Sequence, residues 1–527
     1  MPHGSIVSGG SFVPHPPIDE HTHADLAPAS PEAEGHDPII ERFERGLSAG
    51  QGARDGAKWM ASSRLLIQLG QFAFGIVNAR LLVPEEFGLA AVPLALIALA
   101  EVFTDIGLSA AIVQAKVATR RILNTAFWLN LAAGLLVAAI VAAIAKPMAD
   151  FYGDDDMFRL LLYVAAGFAL TRGSVQTAVL ERTFSYRRLA TVETTAFLTG
   201  AITTPVLAVA GLGADAIVIG ALTVIVLRSI LLWLAVGWRP TMKPDRAEAA
   251  ALWRYSRGLV GFNILNYWTS RNIDTLVLGR AAEPAALGEY NRSYNLMMVP
   301  VKQTSQVLGR VLFPSLARLA DEPARVADAW IRGASAAAFI TMPIAVTMAV
   351  TAPASVVVLY GDNWSGMSPV LTLLALAALP QTLSASTGAV YRAIDRTGQL
   401  FRRGVITTVL TVIAVFVGVI WGTHGVAAAL IVNAVLGLLV MAWPLLRALG
   451  ISPSQLQPLV PAVTVSVAMA AAELAVAWLL PDSVSPFIVL PLQAVAGGIA
   501  FFALGLRIKH PIVQAIARKL PVLRRAA

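Results

Sequence analysis

Between Lys58 and Arg507 the sequence is a succession of apolar runs of about bilayer length, separated by short polar breaks. A helix crosses the hydrocarbon core with ~20 apolar residues, so each run reads as a membrane-spanning helix. Fourteen spans follow: 58–80, 85–112, 122–146, 158–180, 189–210, 214–236, 254–278, 286–316, 331–359, 368–391, 402–420, 424–446, 456–479 and 485–507. Composition agrees, because 57% of the 527 residues are hydrophobic and only 14% are charged, against ~45–50% and ~25% in soluble domains. The fold class is therefore an all-α polytopic membrane protein with about fourteen transmembrane helices. An ordinary soluble enzyme is excluded. The absence of cysteine excludes disulfides, thiolate metal sites and cysteine nucleophiles.

Charge position tests the span count independently. Loops after even-numbered spans carry Lys116, Arg120 and Arg121, then Arg182, Arg187 and Arg188, then Arg239, Lys243 and Arg246. The series continues with Arg318, Arg325, Arg392, Arg396 and Arg447, and the C-terminal tail adds Lys509, Arg518, Lys519, Arg524 and Arg525. Loops after odd-numbered spans are short and hold acids instead, among them Asp154–Asp156, Asp215, Asp362 and Asp482. Arg80, Lys146, Arg159 and Arg280 are the cations near that second side. Basic loops face the cytoplasm, so both termini are expected there. The net charge of +8 is a topology signal and implies no nucleic-acid partner.

Residues 1–55 contain five of the seven histidines but no apolar run and no metal-ligand spacing; they read as a disordered cytoplasmic tail, and no signal peptide is expected. No metal site and no catalytic residues are expected. The remaining chain divides into a first lobe at 56–236 (spans 1–6), a cytoplasmic linker at 237–252, a second lobe at 253–447 (spans 7–12), two further helices at 448–508 and a basic tail at 509–527. The two lobes share a repeat. Arg80, Pro84 and Gly88 follow span 1, and Arg280, Pro284 and Gly288 follow span 7, with the same R-x3-P-x3-G spacing at an offset of 200 residues. An even number of helices separates the copies, which gives them one orientation across the membrane. The halves are then related by an axis along the membrane normal, as in parallel-repeat transporters.

A charge at bilayer depth costs roughly 2.5–3.5 kcal/mol on insertion scales and usually faces a cavity or a partner. Span 7 carries Asn263, Tyr267, Ser270 and Asp274 on one stripe, with Arg271 beside it. On span 8, Asn291, Asn295, Lys302 and Gln306 share a stripe edged by Arg292 and Arg310. Arg64 and Arg172 are further candidates in the first half. Guanidinium groups hold phosphate bidentately and lysine acts as a point charge, so this set suits an anionic group. Snorkelling to the interface is the expectation for Arg310 and Arg292. Glu101 and Asp105 lie on one face, four residues apart, and repel unless one is protonated or paired. With Asp274 they are candidates for ion coupling or for charge pairing.

The stretches "ARLLVPEEFGLAAV" (79–92) and "DIGLSAAIVQ" (105–114) resemble the opening of Wzx-type polysaccharide exporters of the multidrug/oligosaccharidyl-lipid/polysaccharide (MOP) superfamily. The second half agrees through "SRNIDTLVLGR" (270–280), "LGEYNRSYNLMMVP" (287–300), "VLFPSLARL" (311–319) and "APASVVVLYGDNW" (352–364). The resemblance covers roughly residues 57–450 and fades in spans 13 and 14. It implies two six-helix lobes around a central cavity, a MATE-like arrangement, with spans 13 and 14 appended. It implies an inner-membrane flippase for oligosaccharide on undecaprenyl pyrophosphate, working by alternating access in exopolysaccharide, capsule or O-antigen synthesis. Arg271, Asp274 and Arg280 sit in the matching second-half motif. Arg80, Pro84 and Gly88 sit in the first-half motif, where loop geometry is the expected role. No cofactor is implied beyond a coupling proton or sodium ion; the implied partners are the lipid-linked glycan, membrane lipids and polysaccharide polymerase machinery.

A cation-coupled drug antiporter of the same superfamily is the alternative, although it calls for a more acidic cavity than one holding Arg271 and Lys302. A lipid-linked peptidoglycan-precursor flippase is close in chemistry but should lack this set of motifs. A polymerase or glycosyltransferase needs a large outer loop or an acidic catalytic motif, and the longest outer loop has about a dozen residues.

Overall fold

The computed structural model describes residues 49–105, 108–114, 118–170, 173–240, 244–254, 256, 272–481, 483–510 and 512–514. Among them every regular element is helical. The first half contains α1 (Ala49–Leu81), α2 (Pro84–Asp105), α3 (Leu108–Gln114), α4 (Arg120–Tyr152), α5 (Asp155–Leu170), α6 (Ser174–Arg182), α7 (Tyr186–Val209) and α8 (Ala214–Val236). The second contains α9 (Asn272–Ala281), α10 (Pro284–Ala317), α11 (Pro323–Val350), α12 (Ala352–Leu359), α13 (Met367–Ala393), α14 (Thr397–Gly418) and α15 (Gly422–Ala448), followed by α16 (Val460–Leu479) and α17 (Pro486–Arg507).

Most predicted spans coincide with one helix, and three are broken. Span 2 divides into α2 and α3, and span 4 into α5 and α6, which bend by 50°. Span 9 divides into α11 and α12 at Thr351, because Pro353 in the first turn of α12 has no N–H for the preceding helix. Nine helical stretches among the described residues are long and apolar enough to cross a membrane, or ten with the bent pair. Fourteen crossings are therefore not established by length and apolarity alone. Of span 7 only 254, 256 and 272–278 are described, and α10 carries Glu289, Arg292, Lys302 and Arg310 in its length.

Helices α1, α2, α4, α5, α7 and α8 pack among themselves, as do α10, α11, α13, α14 and α15. The two groups meet chiefly where α2 crosses α10, helped by α9 against α2 and α4. Helices α16 and α17 pair with each other and lean on α11 and α12.

The buried apolar clusters show where the halves join. At the end bearing the acidic loops, one core runs from Val92 and Leu96 through Ala149 and Leu161 to Leu287, Tyr290 and Met297, so both halves build it. A second shared cluster holds Ala79 against Val356, Tyr360 and Trp364. At the end bearing the basic loops the cores are separate. One surrounds Leu123, Val179 and Trp238 in the first half, and the other surrounds Leu316, Trp330 and Tyr391 in the second. Among the described residues the halves are thus sealed together at the acidic end, and their apolar clusters at the basic end are separate.

Candidate functional site

The seal is built from the repeated motif. α2 and α10 both start on proline, whose missing N–H and fixed φ suit a first helical position. Four residues later come Gly88 and Gly288. A Cβ placed on Gly88 would overlap the carbonyl of Pro284, and one placed on Gly288 would overlap the carbonyl of Pro84. The relation is reciprocal, as a two-fold axis between the repeats requires. Glycine lets two helix backbones touch, the small-residue device of membrane helix pairs. Loop geometry, the expectation for Pro84 and Gly88, is only part of their role.

Side chains lock each half to the other around this crossing. Trp364 Nε1 donates to the Ala79 carbonyl at 2.8 Å, and its ring meets Phe87 edge to face at 5.1 Å. Arg80 donates from Nε to Leu359 O at 3.1 Å and from Nη2 to Val357 O at 3.2 Å. It therefore caps the C-terminus of α12, where carbonyls lack helical partners and the dipole is negative. On the other side of the axis, Tyr152 donates to Leu276 O at 3.2 Å, and the Arg280 guanidinium lies 5.7 Å from the Phe151 ring. Lys146 pairs with Asp150 at 2.9 Å, and Arg159 with Asp215 at 2.8 Å. The four cations that break the loop-charge rule all have partners here.

Arg292 departs from the expectation of snorkelling. Its side chain reaches into the interface between halves, with Nη2 donating to Gly75 O of α1 at 3.2 Å and the guanidinium 4.3 Å from the Phe87 ring. Asn291 is likewise drawn out of the expected cargo stripe: it accepts from Thr275 Oγ1 at 2.9 Å, and its amide donates to Leu287 O at 3.1 Å. Its Oδ1 fastens α9 to α10, while its amide bonds back one turn within α10. Asp274 is buried, accepting from Tyr290 OH at 2.6 Å and from the Thr275 amide at 2.8 Å.

Asn291 points to α9 and Arg292 to α1, and these contacts orient the rest of α10. At about 100° per residue, Asn295, Lys302 and Gln306 fall between those two directions. The opposite face is turned inward, with Ser293 donating to Met367 O at 3.3 Å and Thr304 accepting from Thr341 at 2.9 Å. Asn295 and Gln306 are exposed and Lys302 is half-buried. This polar stripe thus lies past the crossing, on the face of α10 between its contacts with α9 and α1. Arg64 is exposed on α1. Arg172, Asn263, Tyr267 and Arg271 lie outside the described residues, as do the side chains of Glu101 and Asp105, and so does the tail at 1–48. Among the described residues no group of His, Cys, Asp and Glu has the makings of a metal site.

Three kinds of comparison bear on this arrangement. The polysaccharide biosynthesis protein family matches residues 77–369, more than half of the chain. The lipopolysaccharide biosynthesis protein WzxC of Escherichia coli (strain K12) is 28% identical over 400 residues, covering 74% of this chain and 81% of that protein. The succinoglycan biosynthesis transport protein ExoT of Rhizobium meliloti (strain 1021) is 26% identical over 391 residues, covering 73% of this chain and 79% of that protein. Among solved structures, the lipid II flippase MurJ in an inward closed conformation superposes with a TM-score of 0.69 at 14% identity, covering 87% of this chain and 99% of that one. An inward-facing multidrug resistance MATE transporter of the MOP superfamily follows at 0.55 and 16% identity, over 73% and 96%. These two establish a shared fold of packed membrane helices. With the family match spanning both copies of the R-x3-P-x3-G motif, the chain belongs to the polysaccharide biosynthesis protein family.

Proposed function

We propose that this protein is a bacterial inner-membrane flippase that carries undecaprenyl-pyrophosphate-linked oligosaccharide repeat units from the cytoplasmic to the periplasmic leaflet for surface polysaccharide synthesis. The relatives named for lipopolysaccharide biosynthesis and succinoglycan transport support the glycan and the pathway class. The observation that carries the mechanism is the one-sided seal: both halves build the core at the acidic-loop end, and the cores separate at the basic-loop end. Basic loops face the cytoplasm, so the cleft opens inward, the termini are cytoplasmic, and the interlock is the periplasmic gate. Alternating access then consists of breaking the interlock while the basic ends come together.

In this reading Asn295, Lys302 and Gln306 line the path of the head group. Lys302 meets the diphosphate, with Arg271, Arg64 and Arg172 as further cationic candidates and Asn263 and Tyr267 for the sugars. The lipid tail stays in the bilayer beside the cleft. A proton or sodium ion drives the cycle, and the flipped unit passes to the polymerase machinery. The test is reconstitution in liposomes with a defined lipid-linked oligosaccharide, read by lectin or enzyme access to the outer leaflet. Transfer that depends on the protein and fails with Lys302→Ala supports the reading. Efflux of small cationic drugs without glycan transfer would replace it with the antiporter.

A further inference from the structure

Helices α16 and α17 contain a single ionisable residue within their apolar length, Glu473, and it is completely buried. It faces α11, where Thr347 Oγ1 donates to Glu473 Oε1 at 2.7 Å. It also faces α17, where Gln493 Nε2 donates to the Glu473 main-chain carbonyl at 3.3 Å and Gly497 leaves the room that Oε1 occupies. Two acceptor oxygens at this contact, Glu473 Oε2 and Gln493 Oε1, are buried without a donor. No cation among the described residues faces the carboxyl. Among the described residues, the charged side chains of α11 are Arg325, Asp328 and Arg332, at least 15 residues or ~22 Å along the helix from Thr347. Arg507 ends α17, ~15 Å beyond Gly497, and α12 has no charged residue. A bare carboxylate with one hydroxyl donor in such a place carries a desolvation cost of several kcal/mol. One proton on Oε2 removes the charge and supplies the donor that the contact lacks.

We propose that Glu473 is a proton-binding site outside the central cleft, held as a neutral carboxylic acid that fastens the α16–α17 pair to α11. Binding forms one O–H bond at Oε2 and breaks one in a hydronium ion at the membrane face, which leaves as water; no other bond changes. The site is tied to the gate, a part of the proposal that rests on the flippase reading. Thr347 lies one turn before the α11–α12 break, where Thr351 returns both its amide and its hydroxyl to Thr347 O at 2.8 Å. Beyond the break, α12 packs on α17 and ends in the carbonyls that Arg80 grips. Loss of the proton leaves a buried uncompensated charge and removes the Oε2 donor, which loosens the α16–α17 pair and frees α12, packed on α17, to leave Arg80.

Infrared spectroscopy of the full-length protein in phosphatidylethanolamine/phosphatidylglycerol bilayers tests the site without any substrate. The wild type should show a carboxylic-acid C=O band at neutral pH that is missing from Glu473→Gln, and Thr347→Val should move that band to higher frequency by removing the hydroxyl donor. A Glu473→Gln difference spectrum containing only carboxylate bands overturns the site. If Glu473→Gln does not fold, a band that stays in place in Thr347→Val overturns it equally. For the tie to the gate, liposome transfer of a lipid-linked oligosaccharide should respond to a pH gradient in the wild type and lose that response in Glu473→Gln. An unchanged pH response removes the tie and leaves the flippase intact. Absence of transfer by the wild type removes the flippase reading, while the infrared band still decides the proton site.

Discussion

Substituting Gly88 with alanine puts one methyl group at the point where the halves touch. The obstacle is backbone: the new Cβ would overlap the Pro284 carbonyl, and even Pro284 Cα stands only 2.9 Å away. No rotamer relieves such a clash, so the two helices must separate or stay strained. Overpacking of this kind costs ~1–3 kcal/mol. The cost falls on the sealed state alone, because the contact exists only there. A differential of that size shifts the equilibrium about 5–150-fold toward states with the crossing parted. Gly288→Ala should do the same through the Pro84 carbonyl carbon, also 2.9 Å from the added methyl. The two clashes share one crossing, so one separation relieves both. The double variant should therefore fall well short of the summed effects, as expected for sites in contact.

The native chain has no cysteine, which makes a one-cysteine reporter straightforward. Ala79 is 3% exposed and lies beneath Trp364, so Ala79→Cys should be protected from a membrane-impermeant maleimide in right-side-out vesicles. Labelling should become faster in Gly88→Ala and Gly288→Ala. Equal protection in all three backgrounds, together with unchanged transport, would refute the gate. Fully additive effects of the two alanines would refute the shared crossing.

Other changes probe the same geometry from different sides. Arg292→Lys keeps the charge but loses the planar stack on Phe87, worth ~0.5–2 kcal/mol, and should speed Ala79→Cys labelling with little change in expression. Trp364→Phe keeps a ring and removes the donor to Ala79 O; leaving that group unpaired costs ~1–3 kcal/mol, seen as faster labelling and a lower detergent melting temperature. Tyr290→Phe takes the hydroxyl from buried Asp274 and should lower the melting temperature by a similar free energy. Lys302→Ala, and Arg271→Ala alike, should abolish or strongly reduce surface polysaccharide at normal protein levels; wild-type transfer by both, singly and together, would remove the cleft assignment.

Much of this architecture is legible in the sequence because bilayer physics acts on local patterns. Apolar length places most helices, and the R-x3-P-x3-G repeat marks both sides of the crossing. Periodicity assigns a residue to a helix face and is silent on what stands opposite. Asn291 shares a stripe with Asn295 and Lys302, yet Thr275 captures it. Arg292 resembles a snorkelling cation until Gly75, 217 positions earlier, is brought beneath it. Glu473 is conspicuous in an apolar run, but its donor Thr347 lies 126 residues away. Helix breaks are hidden for a different reason: an apolar run remains apolar across the kink at Thr351.

The repeat also shows what is not shared. Moving back 200 residues from Asn291, Asn295, Lys302 and Gln306 reaches Ala91, Ala95, Val102 and Ile106, all apolar. Symmetry is thus kept at Gly88 and Gly288, where the halves must meet backbone to backbone, and abandoned in the sequence 3 to 18 residues further on. A gate profits from two-fold symmetry, since one motion then breaks equivalent contacts on both sides. A cleft for an amphipathic cargo does not, since a charged head group and an apolar chain demand different walls. The polar stripe of α10 has no counterpart at the equivalent positions of the first half, an inequality that such a cargo requires. The asymmetry of the two helices, more than their shared motif, therefore favours an anionic lipid-linked substrate.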